Sequence, residues 1–276
     1  MRLAISNIAW DVEEDEAIAA LLRRHAVDAI DIAPGKYFPE PARATDQDIA
    51  RVRAWWAERG IELTGMQALL FGTTGLNLFA AQAVQEAMLA HLGAVCRIAG
   101  GLGATRLVFG SPKNRDRTGL DDRQVQEIST RFFRQLGDIA QSHGVMICLE
   151  PNPSCYGANF MTGSLETLAV VEQVDHPAVR MQLDTGAITL NEEDAAEVVE
   201  RCAPYIRHVH ASEPNLVPLG DGGCDHARVG RALAERLPGH LVTIEMVATR
   251  NEPHTVSVER ALQVAIAHYR QGGIGA

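Results

Sequence analysis

Short apolar runs alternate with longer helical patterns along the whole chain of 276 residues. Runs of four to eight apolar or β-branched residues bounded by turn residues are typical of buried strands. We predict eight strands, at Leu3–Ile8, Ala29–Ile32, Glu62–Leu70, Arg106–Gly110, Val145–Glu150, Val179–Asp184, Ile206–His210 and Leu241–Glu245. Between them, apolar residues recur at three- and four-residue spacing, most clearly in residues 15–26 and 123–144, which predicts amphipathic helices.

Strict alternation of strands and helices predicts a parallel sheet, because each return to the sheet crosses over through a helix. Eight such units across residues 1–276 favour a single-domain (β/α)8 TIM barrel, a fold that commonly needs about 250 residues. An open doubly wound sheet is the alternative, and it normally carries a glycine-rich phosphate loop after its first strand. The segment after the first strand here reads SNIAWD and contains no glycine, so the barrel is favoured.

The last four predicted strands each end on a residue that can bind a metal: Glu150, Asp184, His210 and Glu245. The carboxyl ends of barrel strands open onto one face, so we expect these four side chains to meet there. A single acid at a strand end is more typical of a helix cap. Three buried carboxylates in register would repel one another without a cation. The pattern therefore predicts one divalent ion, and the mostly oxygen ligand set favours Mn2+, Mg2+ or Co2+.

The E…D…H…E series resembles that of the xylose-isomerase-like TIM barrels, which include sugar-phosphate isomerases and epimerases and the ketose 3-epimerases. The segment HASEPNLVPLGDGGCDH, residues 210–226, also resembles the loop after strand seven of that family. The resemblance implies that Glu150, Asp184, His210 and Glu245 bind the metal and that Glu150 and Glu245 act as acid and base. It implies epimerisation or isomerisation of a small sugar, keto-sugar or sugar phosphate through a metal-stabilised enediolate.

The same fold allows three other functions. A dehydratase or lyase of a keto-polyol or cyclic hydroxy acid would use the same enolate and expel a hydroxyl group. An endonuclease IV-like phosphodiesterase is disfavoured, since the metal-binding histidine of those relatives is replaced here by Ala187, three residues after Asp184. The epimerases use that histidine to contact substrate, so Ala187 is a departure from their pattern as well. The third alternative is a sugar-binding barrel without catalysis.

Polar and aromatic residues near the other strand ends are candidates for substrate binding: Asn7, Trp10, Gln67, Lys113, Asn114, Arg115, Asn152 and Glu213. Lys113 and Arg115 would hold a phosphate or carboxylate of the substrate, although a solvated basic loop fits the sequence equally well. Trp10 would face a sugar ring, with packing under a lid as the alternative. His208, two residues before His210, is a candidate for orienting a metal ligand, and a core histidine is the alternative.

Charge and cysteine usage narrow the range of partners. The formal net charge of −10 argues against nucleic acid, whose binding depends on basic residues. No run of about 18 apolar residues predicts a membrane span, and the first residues do not resemble a signal peptide. The five cysteines are scattered without CxxC spacing, so reduced thiols and a cytoplasmic location are expected. The partners expected are a small carbohydrate substrate and, through the outer helices, further copies in a homodimer or homotetramer.

Overall fold

Eight parallel strands form a closed barrel in sequence order, in a computed structural model that describes residues 1–270. The strands are β1 Arg2–Ser6, β2 Ala29–Ile32, β3 Glu62–Met66, β4 Arg106–Phe109, β5 Met146–Leu149, β6 Val179–Asp184, β7 Ile206–Ser212 and β8 Leu241–Glu245. The pairing of β1 with β8 closes the ring. The predicted (β/α)8 barrel is therefore confirmed. The last six residues of the predicted 1–276 domain lie outside the described part.

Helices surround the barrel and cover its apolar outer surface. They are α1 Asp15–Arg24, α2 Asp46–Ala57, α3 Gln82–Leu102, α4 Asp122–Ser142, α5 Ser164–Val174, α6 Thr185–Leu190, α7 Ala195–Cys202, α8 His226–Arg236 and α9 His254–Tyr269. The strand residues that face these helices, such as Leu149, Leu183 and Ile244, are fully buried. Within residues 1–270, no helix has both the length and the apolar character needed to cross a bilayer.

Four predicted strands end earlier than expected: β4 and β5 by one residue, and β1 and β3 by more, because local backbone interactions start a turn. The first strand stops at Ser6, whose hydroxyl accepts a hydrogen bond from the Ile8 amide and so caps a short 3-10 turn at Asn7–Ala9. The third strand stops at Met66 instead of Leu70, since Ala68 has a φ of +54° and leaves the extended conformation. Both early ends place loop residues, rather than strand residues, at the open end of the barrel.

The barrel interior contains a buried polar network around Asp31, on β2. One carboxylate oxygen accepts hydrogen bonds from His208 at 2.6 Å and Thr243 at 3.0 Å, and the other accepts one from Thr64 at 2.8 Å. Gly65 makes room for it, since a Cβ there would lie 2.7 Å from the Asp31 carboxylate. These contacts across the barrel show that His208 and Thr243 point inward. They form the layer beneath the open end.

Candidate metal centre and active-site cavity

The four predicted ligands lie together at the carboxyl ends of β5 to β8. Asp184 and Glu245 are the last residues of β6 and β8, as predicted. Glu150 follows β5 directly, and its amide still bonds to the Phe109 carbonyl of β4 at 3.2 Å. The prediction that His210 ends its strand is wrong, because β7 continues for two more residues to Ser212. This extension does not change the inward direction of His210, since side chains alternate along a strand.

The geometry of this cluster suits one cation. One potential ligand atom from each of the four residues lies within 4.8 Å of all the others. The Nδ1 atom of His210 lies 3.3 Å from Glu150 Oε1, 3.2 Å from Glu245 Oε2 and 4.0 Å from Asp184 Oδ2. An ion with metal–oxygen distances of about 2.1 to 2.3 Å holds its ligands roughly 3 to 4.6 Å apart. The four side chains therefore match the spacing of a single coordination sphere.

Neighbouring donors hold two of the carboxylates in place. Asp184 accepts hydrogen bonds from the Ala187 amide at 2.6 Å and from the Ser212 hydroxyl at 2.7 Å. Glu245 accepts one from the Gln67 side chain at 2.7 Å. Such donors orient the side chains that bind a metal. Fewer side-chain conformations are then lost when the ion binds. Ala187 therefore supports the site through its backbone, although its side chain replaces the histidine expected from the family.

Buried like charges dominate the electrostatics of the cluster. Burial and the charges of the other two carboxylates raise the pKa of Asp184 to about 7. Burial and the Glu245 charge also raise the pKa of Glu150. Burial opposes ionisation of Glu245 as well, but its interactions with His210 and the Gln67 hydrogen bond lower its pKa. Three carboxylates compete here for one imidazole, so a divalent cation would relieve a repulsion that the protein side chains leave in place.

A buried arginine joins the ends of β4 and β5 next to the cluster. The guanidinium of Arg115, with no exposed surface, donates to the Glu150 carbonyl at 2.7 Å and the Gly110 carbonyl at 3.2 Å. Burial lowers its pKa only to about 10, so it stays charged near neutral pH. The structure does not support the prediction that Arg115 binds a substrate anion, because its side chain has no exposed surface and does not line the cavity. Gly110 fits closely too, since a Cβ there would lie 1.6 Å from Glu150 Oε2.

A cavity of about 550 Å3 opens above the cluster and is lined by 20 residues. Glu150 and Glu245 line it, whereas Asp184 and His210 do not. Three of the predicted substrate-binding residues, Gln67, Lys113 and Asn152, also line it. The amide nitrogen of Asn152 donates to the Gly110 carbonyl at 3.1 Å, and its buried Oδ1 has no hydrogen-bond partner within residues 1–270. This oxygen is therefore a buried acceptor beside the cavity that lacks a partner among the described residues.

The remaining predicted substrate contacts do not line the cavity. Trp10 is fully buried and donates its indole N–H to Asp15 at 2.8 Å, so it does not face the cavity. The Asn7 side chain accepts a hydrogen bond from the Ala33 amide at 2.7 Å, and the Asn114 side chain donates one to the Leu76 carbonyl at 2.7 Å. Glu213 is buried. All four side chains bond to other parts of the protein and none lines the cavity. The structure therefore does not support the prediction that they bind substrate.

Glu213 organises the loop after β7. Its carboxylate accepts hydrogen bonds from the Gly220 amide at 2.7 Å and the Cys224 amide at 2.9 Å, and it contacts His226 at 3.1 Å. Burial opposes the ionisation of Glu213. These hydrogen bonds, and above all the one with His226, nevertheless lower the pKa of Glu213 to about 2.

His208 lies deeper in the barrel, where it contacts Asp31 and packs edge-on against the His210 ring with the ring centroids 4.7 Å apart. It therefore supports a predicted ligand through packing.

Several cavity residues have no role predicted from the sequence. Phe71, Leu216 and Val247 form an apolar rim where the cavity meets solvent, and Lys36 lies on the cavity wall. The sequence contained one usable signal, since it has 23 arginines but only two lysines, Lys36 and Lys113. Both lysines line the cavity. The rim had no comparable signal, because isolated apolar residues in loops are common.

Closed parallel barrels with polar residues gathered at the carboxyl ends of their strands form a class whose active sites lie at that end. Residues 19–270 match the family described as Xylose isomerase-like TIM barrel, and the chain belongs to this family. A match over this range includes all strands except the first and all four predicted metal ligands.

Two relatives of known activity match part of the chain. The D-psicose 3-epimerase of Ruminiclostridium cellulolyticum is 28% identical over 116 residues, which cover 42% of this chain and 39% of that protein. The L-ribulose 3-epimerase of Methylomonas sp. (strain DH-1) is 30% identical over 117 residues, which cover 42% of this chain and 41% of that protein. The matched part spans about two fifths of the length of these relatives.

Solved structures resemble the chain over nearly its full length. A D-psicose 3-epimerase with D-tagatose from Clostridium cellulolyticum H10 has a TM-score of 0.78 and 21% identity, and the match covers 98% of both chains. The apo form of an Escherichia coli 3-keto-D-glucoside 4-epimerase has a TM-score of 0.77 and 15% identity, and the match covers 95% of this chain and 99% of that one. At these identities the likeness shows a shared fold.

Proposed function

We propose that this protein is an epimerase or isomerase of a small sugar, keto-sugar or sugar phosphate that depends on one divalent cation, Mn2+, Mg2+ or Co2+. One observation carries the proposal. Of the four clustered ligands, only the two glutamates, Glu150 and Glu245, also line the cavity. These two carboxylates reach both the expected cation and the space that a substrate would fill. The partial matches to two ketose 3-epimerases support the same reaction class.

The donor set supports the presence of a cation. Glu150, Asp184 and Glu245 supply oxygen ligands, and His210 directs Nδ1 toward all three carboxylates. Hard divalent ions prefer such oxygen-rich sites, and a bound ion would offset the negative charge buried there. When bound, the ion supplies Lewis-acid polarisation of a hydroxy-ketone carbonyl, which makes the neighbouring carbon more acidic.

The protein residues then have three tasks in this reaction. Glu245, held by Gln67, and Glu150, whose backbone is held by Arg115, remove and return a proton at the carbon next to the carbonyl. If the proton is removed from one face of that carbon and returned to the opposite face, the carbon is inverted. If a proton taken from C1 is returned to the carbonyl carbon C2, the product is an aldose. Asn152 lines the cavity with an Oδ1 that is unpartnered within residues 1–270, and we assign to it a hydrogen bond from a substrate hydroxyl that fixes the orientation of the substrate.

Proton exchange in deuterated water tests the proposal directly. Metal-loaded protein would be incubated with a panel of ketoses and ketose phosphates, and the products followed by NMR and mass spectrometry. We expect deuterium at the carbon next to the carbonyl, together with an epimer or an aldose. Glu150→Gln and Glu245→Gln should each lower the rate by about 10²- to 10⁴-fold. Glu172→Gln is the control, because Glu172 is exposed on α5 and outside the cavity.

Other outcomes would replace the proposal. Loss of water from the substrate would identify a dehydratase, and nicking of an abasic DNA duplex would identify a phosphodiesterase. If fully metal-loaded protein exchanges no proton on any ketose, or if both glutamine variants keep the native rate, the proposed reaction is wrong. Measurement after chelation and after readdition of Mn2+, Mg2+ or Co2+ tests the need for the ion separately.

A further inference from the structure

The cavity is larger than a free sugar requires. A hexose has six carbon units that each occupy about as much space as one water of ~30 Å3, so the whole molecule fills roughly 200 Å3. The cavity has a volume of about 550 Å3. We propose that the natural substrate is a sugar carrying an apolar aryl or alkyl substituent, and that the apolar rim binds this substituent. The proposal rests on the proposed function, since it assumes that the sugar itself lies against the metal cluster.

The carboxylate and amide side chains of the cavity are concentrated at one end. Gln67, Asn152 and the two glutamates lie next to the cluster, where the hydroxyl groups of a sugar need partners. The rim residues Phe71, Leu216 and Val247 provide only apolar side chains. A free hexose extended toward the rim would find few side-chain partners for its hydroxyl groups there, chiefly Lys113. An apolar substituent would instead gain from losing its contact with water.

The rim is formed by defined local structure. The Val247 amide donates to the Leu216 carbonyl at 3.0 Å, so these two side chains belong to neighbouring backbone segments. Leu216 and Ala68 both have a φ of +54°, which is costly for residues other than glycine. Ala68 begins the turn that presents Phe71, whose amide bonds back to the Ala68 carbonyl at 3.0 Å. Strained backbone at two points of one cavity is typical of functional loops.

Exposure of the rim also points to a missing apolar partner. Phe71 is 82% exposed and Val247 is 45% exposed, whereas large apolar side chains of this chain are mostly buried. The rim is continuous with a cavity that has the metal cluster at its base. An apolar group attached to a bound sugar would therefore reach the rim without any change in the protein. This continuity favours a substrate substituent over a separate partner molecule.

An anionic substituent is less favoured by the charges at the rim. Lys36 donates to the Trp10 carbonyl, and its charge is offset by a group of nearby carboxylates, those of Asp11, Glu13, Glu14 and Asp15. Lys113 is exposed, and among residues 1–270 its side chain has a single hydrogen bond, to the Thr73 carbonyl at 3.4 Å. One free amine is a weak site for a phosphate, which is normally bound by several donors.

Binding of three related ketoses tests the proposal. The probes are D-fructose, 6-O-benzyl-D-fructose and D-fructose 6-phosphate, each titrated calorimetrically into Mn2+-loaded full-length protein. We expect the benzyl compound to bind roughly 10- to 100-fold more tightly than fructose, from the apolar area that its ring buries. Phe71→Ala and Val247→Ala should lower this ratio several-fold. Val256→Ala should not, because Val256 is equally exposed, at 46%, but lies on α9 outside the cavity.

Each alternative has its own outcome. Equal binding of the benzyl compound and fructose would overturn the proposal. Tightest binding of the phosphate, lost in Lys113→Met, would overturn it in favour of an anionic substrate. Self-association that Phe71→Ala abolishes, without any preference for the benzyl compound, would assign the rim to a second copy of the chain. Failure of proton exchange with these three sugars and with the whole ketose panel would contradict the proposed function. The ratio of the two binding constants, by contrast, reports on the rim alone.

Discussion

Substitution of Gly110 by alanine tests the geometry of the metal cluster without removing a ligand. The added methyl group would lie 1.6 Å from Glu150 Oε2 and 2.8 Å from its Cδ, while other atoms are at least 3.6 Å away. Non-bonded carbon and oxygen atoms rarely come closer than about 3 Å, so the carboxylate must move by roughly 1.4 Å. A misplacement of about 1 Å in an active site can cost about 10² in rate.

We therefore expect Gly110→Ala to lower kcat/KM for proton exchange by at least about 10²-fold, or about 2.7 kcal/mol of transition-state stabilisation. Affinity for Mn2+, measured by calorimetry, should also fall, because Glu150 is one of the four proposed ligands. The free energy of unfolding of metal-free protein should change little, since the clash involves the end of a flexible side chain rather than the backbone.

Gly35→Ala is the matched control, because Gly35 lines the same cavity and a Cβ there would meet no atom within 4 Å. This variant should keep native exchange and native Mn2+ affinity. If Gly110→Ala behaves like Gly35→Ala in both measurements, the position assigned to the Glu150 carboxylate is wrong. If both variants lose activity equally, the effect belongs to the cavity wall in general and not to the metal ligand.

Three further predictions concern stability. The folded pKa of Glu213 is about 2, below its ordinary value near 4.5, so its ionised form contributes stability above pH 4.5 that is lost as the pH falls toward 2. Urea unfolding should show that Glu213→Gln removes about 3 kcal/mol of this pH dependence, and an unchanged pH profile would refute the assignment. Asp31→Ala should cost about 3 kcal/mol because it leaves His208 and Thr243 without partners and removes one of the two hydrogen bonds of Thr64, whereas Asp28→Ala, which breaks only an exposed ion pair, should cost less than about 1 kcal/mol. Equal losses in the two aspartate variants would contradict the buried network. Saturating Mn2+ should raise the melting temperature of the native protein but not that of Asp184→Asn, since binding to the folded state alone stabilises it.

The apolar pattern predicted the strand positions well, because the interior of a strand depends mainly on which residues are buried. The bounds of β2, β6 and β8 agree with the predicted ones. The ends of β1 and β3 were wrong, since they depend on single backbone events, a hydroxyl cap at Ser6 and a positive φ at Ala68. Neither event changes the periodicity of apolar residues from which the strands were predicted.

The metal cluster was the most predictable part of the site. Its members lie at the carboxyl ends of consecutive strands, so the fold itself brings them together. The loop residues were less predictable, because their roles depend on contacts between distant parts of the chain. Arg115 lies near the cluster as expected, but its guanidinium meets two backbone carbonyls. Trp10 meets Asp15 instead of a sugar ring, and no spacing in the sequence distinguishes the two outcomes.

The scarcity of lysine has a practical consequence for labelling. Lys36 and Lys113 carry the only side-chain amines of the sequence, and both border the cavity. Besides the chain terminus, reagents that couple to primary amines will therefore attach at the entrance to the site. Immobilisation through amines would obstruct ligand entry and make binding look weaker than it is. A fluorophore on Lys113, after replacement of Lys36 by arginine, would instead report occupancy from a single known position.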